Sequence, residues 1–246
     1  MMIKPALREF TVPAPKQWSD LPHGHWLRDQ VSRALAPHCA KIFGYHLARV
    51  GALAADLALT ELRVNHQFSL QAQAPAEVIT DLHHWPFAEH TLDAIVMINQ
   101  LEYDSDPHQL LREASHSLIA DGYLILVGMN PLSPALWTGM WPGRIDSYPW
   151  HGRYFSRARV SDWLALLNFE LIASEYIAPS LLIDALPNPT SGLSWLSRAL
   201  PTVGSMYLLV ARKRHYPLTM VRQKRWRKAP QGAALPVANR HADGVD

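Results

Sequence analysis

The chain has 246 residues, 48% of them apolar and 18% charged, which excludes a disordered or fibrous protein and fits one large α/β domain or two small ones. Cys39 is the single cysteine, excluding a disulfide framework, a cysteine-based zinc site and an iron–sulfur cluster. The net charge of +2 conceals an asymmetry: residues 1–211 hold 14 Lys and Arg against 19 Asp and Glu, a net of −5.

No run reaches the ~18 apolar residues of a membrane span, and the first eighteen residues carry Lys4, Arg8, Glu9 and Lys16 where a signal peptide has its apolar core. The expected setting is the cytoplasm. Arg212–Lys228 contains eight basic residues and no acid, so residues 212–246 are expected to form a basic, flexible tail. Such a tail either stays solvated or attracts phosphates.

Leu27, Val31, Ala34 and Leu35 predict a helix over 25–36, ended by Pro37. Residues 1–40 form an N-terminal helical extension. A strand follows at Ile42–Gly51, then an alanine-rich helix at Ala52–Leu59. Leu62–Leu70 and Ala76–Thr80 read as the second and third strands, and Asp93–Asn99 as a strand buried on both faces. Asp106 caps the next helix, Pro107 suits its first turn, and Leu110, Leu111, Ala114 and Leu118 form its apolar stripe. Gly122 is read as its C-terminal stop.

Tyr123–Met129 is the fifth strand. Ser156 precedes a helix carrying Val160, Trp163, Leu164 and Leu167, and Phe169–Ile177 and Met206–Ala211 close the chain's regular structure. Strands alternating with helices imply a doubly wound, mostly parallel seven-stranded sheet with helices on both faces, its last strand antiparallel. Ligands of such sheets bind outside the carboxyl ends of the strands, an edge that carries Gly51, Asp81, Asn99 and Asn130.

Between Thr80 and Pro134 the order Asp81, Trp85–Pro86–Phe87, Leu92–Asp93, Leu101–Glu102, Asp106–Pro107, Leu111–Arg112–Glu113, Asp121–Gly122 resembles the class I S-adenosylmethionine-dependent methyltransferases, in particular their small-molecule (type 11) group. The resemblance implies a Rossmann-like fold over residues 1–211, S-adenosylmethionine as cofactor, and methyl transfer to a small-molecule or lipid-like acceptor. It assigns cofactor contacts to Gly51, Asp81 and Leu82, and Asn99 to the methionine part or the acceptor. The local alternative for Asp81 is a turn cap, and for Asn99 an end-of-strand turn residue.

Two motifs of that family are degenerate. Its G-x-G-x-G turn is here Gly51-Ala52-Leu53-Ala54-Ala55, so a glycine restored at Leu53 is expected to tighten binding. Its second-strand acid is missing, with Asn65 or Gln67 as neutral substitutes. An inactive methyltransferase-fold binding protein is therefore the alternative function, and an RNA-modifying enzyme using the basic tail a third.

Residues 130–155 hold Trp137, Trp141, Trp150, Tyr148, His151 and Tyr154 in a proline-stiffened loop, either a lid over the acceptor or a satellite core. Glu102, Tyr103, His151, His83 and His84 are the base candidates, none singled out by spacing. The histidines lack a metal-ligand pattern, so no metal is expected.

Overall fold

The computed structural model describes residues 13–59, 61–138, 147–183, 190 and 200–214. Compact units divide at Met1–His215 and Tyr216–Asp246, and the second lies outside the described residues, with most of the basic segment.

Among the described residues seven strands form one sheet: β1 (Phe43–Val50), β2 (Arg63–Gln71), β3 (Val78–Ile79), β4 (Leu92–Ile98), β5 (Leu118–Met129), β6 (Phe169–Ile177) and β7 (Met206–Lys213), in the order β3-β2-β1-β4-β5-β7-β6. β3, β2, β1, β4 and β5 are mutually parallel, while β7 runs antiparallel to both its neighbours, β5 and β6. The chain re-enters the sheet after residues 178–205, and β7 inserts between β5 and β6 rather than adding at the edge.

Period-two alternation builds two cores. Along β4, Ala94, Val96 and Ile98 face one side, against Leu27, Val31 and Leu35 of α1 (Gly24–Cys39). Ile95 and Met97 face the other, against Leu110, Leu111 and Ala114 of α3 (Pro107–Ser117) and Val160, Trp163 and Leu164 of α5 (Arg157–Leu166). A strand buried on both faces reads as a continuous apolar run, which is why β4 and β5 are legible in sequence.

Four sequence expectations are corrected. α1 runs through Pro37 to Cys39. The alanine-rich helix is the single turn α2 (Ala52–Ala55), since Leu57 and Leu59 are pulled into the core against α1. α3 ends at Ser117, and Gly122 instead lies inside β5, where a Cβ would meet the backbone oxygens of Asp93 and Ile119 at 3.1 and 3.0 Å. β7 extends past Ala211, so the first basic residues of the expected tail are structural. Arg212 pairs with Asp121 at 2.9 Å, and Lys213 Nζ donates to the Ser115 and Leu118 carbonyls at 2.6 and 2.9 Å.

Candidate active site

β1 connects to β2 on one side of the sheet and neighbours β4 on the other, so the strand order reverses between β1 and β4. That is the switch point at which open α/β sheets leave a crevice. A cavity of about 960 Å³ opens there. Its floor is formed by residues at strand ends: Gly51 after β1, Gln71 ending β2, Asp81, Leu82 and His83 after β3, and Gln100 after β4.

Gly51 has φ 88° and ψ 160°, a region essentially restricted to glycine. A Cβ there would stand 2.3 Å from Gln100 Oε1. The turn that follows is tied by Arg49 Nη1, which donates to the Ala55 carbonyl at 3.0 Å. Ala52 and Ala55 line the cavity, whereas Leu53 is buried in the α1 core. Leu53 is thus a core residue, and the expectation of tighter binding from a glycine there is withdrawn.

Asp81 caps the turn after β3 and also lines the cavity. Its carboxylate accepts from the His83 N–H at 2.9 Å and pairs with His84 Nδ1 at 3.0 Å, a turn cap. It also lines the cavity with its side chain 61% exposed, so lone pairs stay available. The His83 amide and then the His84 ring hold its pKa below the ordinary aspartate value. Leu82 is buried beside it and lines the same wall.

Asn99 is at the end of β4 with φ 48°, buried, and absent from the cavity lining; neither Oδ1 nor Nδ2 has a hydrogen-bond partner among the described residues. The structure thus brings Gly51, Asp81 and Leu82 together in the cavity lining and leaves Asn99 out of it. Asn65 and Gln67 lie within β2, away from its carboxyl end, because the strand continues to Gln71. Gln71 is the neutral residue at the second-strand position, and its Nε2 donates to the Pro75 carbonyl at 2.9 Å.

Three features of the wall had little or no sequence signal. Asp104, nearly buried, holds His83 Nε2 at 2.6 Å and also accepts the Asp106 N–H at 2.8 Å. Gln100 stands over Gly51. The stretch Pro13–Ser19 closes the cavity from above the strand ends. Trp18 is its peg: the indole is buried and Nε1 donates to the Leu53 carbonyl at 3.2 Å. Gly24 opens α1 directly against it, since a Cβ there would lie 1.6 Å from the Trp18 carbonyl oxygen.

The aromatic loop stands behind this wall. None of its described residues lines the cavity. Tyr148 and His151 pack on Tyr103, Tyr148 Oη donates to the Pro13 and Ala14 carbonyls at 3.2 Å, and Trp150 Nε1 donates to Ala135. Trp137 is exposed, and Trp141 lies outside the described residues.

Among the base candidates, His83 and Tyr103 line the cavity. Tyr103 Oη donates to the Pro149 carbonyl at 3.3 Å, and burial drives its pKa far up. Glu102 is buried away from the cavity, accepting the Met129 N–H at 2.9 Å, and burial raises its pKa to about 7. No cluster of three or more metal-ligating side chains occurs among the described residues.

An open, mostly parallel sheet with a cleft at its switch point, a glycine-only turn after β1 and an acid after β3 defines a class of α/β proteins built to hold nucleotide-like ligands. The chain belongs to the class I methyltransferase family that its motifs resemble: a methyltransferase-domain family model matches residues 29–126. It is 37% identical over 231 residues, 93% of each chain, to "Uncharacterized protein YafS" of Escherichia coli (strain K12).

Solved structures share the fold at low identity. Geranyl diphosphate C-methyltransferase from Streptomyces coelicolor A3(2) matches with a TM-score of 0.55 at 16% identity, over 78% of this chain and 80% of that one. The [4+2]-cyclase SpnF matches with a TM-score of 0.54 at 15% identity, over 83% and 86%. One fold thus carries two named chemistries, and the reaction must be argued from the site.

Proposed function

We propose that this chain binds S-adenosylmethionine at the β1/β4 switch point and transfers its methyl group to a small-molecule acceptor. The observation that carries the reading is Gly51: a glycine kept at the one place in the turn where φ and ψ demand it, with its absent Cβ leaving room beside Gln100. The volume supports it as well, because about 960 Å³ is at the upper end of small-ligand sites and accommodates a nucleoside-sized cofactor together with an acceptor.

The residues fit the cofactor. Gly51 and Ala52 would hold its amino-acid end, Gln71 would offer one amide oxygen to the ribose, and the Asp81 carboxylate with the Leu82 backbone would hold the adenine. When bound, the cofactor supplies an activated methyl on a sulfonium, so positioning does most of the catalytic work. Where the acceptor atom carries a proton, His83 is the group to take it. With Nε2–H donated to Asp104, its Nδ1 is the accepting nitrogen.

A second reading, a binding protein without turnover, draws support from Gln71. A neutral amide replaces the charged acceptor of the ribose, and neutral hydrogen bonds are roughly half as strong. Thermal unfolding with and without S-adenosylmethionine and S-adenosylhomocysteine tests the cofactor step. Ligand at a hundred times its Kd adds about 2.7 kcal/mol. For this chain length that is a midpoint rise of about 5–10 °C. No shift at millimolar ligand refutes the methyltransferase reading and favours the second, while a shift followed by turnover in an acceptor screen rejects the second.

A further inference from the structure

The cavity lining includes a cation and an anion that face each other loosely. Arg28 Nη1 stands 3.6 Å from Asp56 Oδ2, beyond hydrogen-bond contact, with the side chains 39% and 56% exposed. Both line the cavity together with Gly51, Ala52 and Ala55. An exposed pair at this distance contributes little to stability, so its partners exchange readily for a ligand's charges.

The positions of the two groups are fixed by the fold. Arg28 is in the second turn of α1, whose start is locked by Gly24 against the Trp18 carbonyl. Asp56 caps the end of α2, whose last carbonyls are held by Arg49. Trp18 joins the two elements through its hydrogen bond to Leu53. The guanidinium and carboxylate are therefore presented side by side at one end of the cavity, next to the turn that offers the closest backbone approach.

We propose that Arg28 and Asp56 form an α-amino-acid clamp: Arg28 takes the carboxylate and Asp56 the ammonium of a zwitterionic ligand end. Resting on the proposed cofactor reading, that end is the methionine part of S-adenosylmethionine. A zwitterion satisfies both charges at once and leaves neither unpaired, whereas a simple anion or cation would strand one of them. The clamp also gives the degenerate turn a compensating device. Two charge-assisted contacts from side chains supplement the backbone approach at Gly51. Lys16 lines the same cavity and adds a second cation to it.

The test is isothermal titration of the full-length protein with S-adenosylhomocysteine and with 5′-methylthioadenosine, which lacks the amino-acid end. Wild type is expected to bind S-adenosylhomocysteine at least about tenfold more tightly. Arg28→Gln and Asp56→Asn are each expected to weaken S-adenosylhomocysteine about tenfold while leaving 5′-methylthioadenosine within about twofold. Their thermal midpoints without ligand, expected to be unchanged for such exposed side chains, verify that the variants fold.

Equal loss for both ligands, or no loss for either, overturns the clamp while the cofactor reading stands. Failure of wild type to bind either ligand overturns both.

Discussion

Replacing Gly51 by alanine separates backbone strain from steric exclusion at the switch point. The residue sits at φ 88° and ψ 160°, and holding a side-chain-bearing residue there costs of order 1–3 kcal/mol. The new Cβ meets Gln100 Oε1 at 2.3 Å, the end of a flexible side chain that can swing aside, so most of the penalty is conformational. At about 2 kcal/mol, and about 2–4 °C per kcal/mol for a chain of this size, the unfolding midpoint falls by about 4–8 °C.

The double variant Gly51→Ala/Gln100→Ala removes the contact and retains the strain, so it recovers little of the loss. Calorimetry or fluorescence melting of the two variants against Gln100→Ala alone is the assay. A Gly51→Ala midpoint within 1 °C (about 0.3 kcal/mol) of wild type refutes the claim that the turn needs glycine. Full recovery in the double variant reassigns the cost to the Gln100 contact.

Asp106→Ala removes a side chain that accepts from the His108 and Gln109 amides at 3.1 and 3.0 Å, and urea unfolding should register a loss of about 1 kcal/mol. Asp81→Ala should weaken S-adenosylhomocysteine about tenfold with a small change in melting. Unchanged affinity in a titration removes Asp81 from the cofactor contacts. Glu102, raised from 4.5 to about 7 by burial, lets the unfolded chain ionise first. Its contribution is therefore full below about pH 4.5 and declines by about 3 kcal/mol as pH rises through 7. Glu102→Gln should accordingly gain stability relative to wild type between pH 5 and pH 8 (about 3 kcal/mol at most), and a pH-independent difference in denaturant melts contradicts the assignment.

Elements buried on both faces announced themselves in the sequence. β4 and β5 are apolar runs because α1 packs on one side and α3 and α5 on the other, and the α3 start is legible because capping is local chemistry. Where tertiary packing overrides propensity the reading failed. Alanines favour a longer helix after β1, but Leu57 and Leu59 contribute more by entering the core than by continuing it. Asp121–Gly122 has the composition of a helix stop, yet β-pairing claims it.

The site was legible in the same proportion. Gly51, Asp81 and Leu82 follow from motif order, since each is fixed by a turn. The second strand reads to Leu70, one residue short of its end, but the substitutes for its acid were sought at Asn65 and Gln67 inside it, so Gln71 was missed. Asp104 carries no periodic signal and gains its role only when the chain after β4 meets His83. The wall at Pro13–Ser19 has no helical or strand period at all and becomes visible only through Trp18.

That wall separates two evolutionary tasks. The strand ends that floor the cavity are embedded in a core where most substitutions are felt, but in the Pro13–Ser19 stretch only Pro15 and the anchored Trp18 are buried and the rest is exposed or half-buried. Exposed substitutions typically shift stability by about half a kcal/mol or less. The exposed residues around Trp18 can therefore change, and with them this wall of the cavity, without disturbing the sheet that forms its floor.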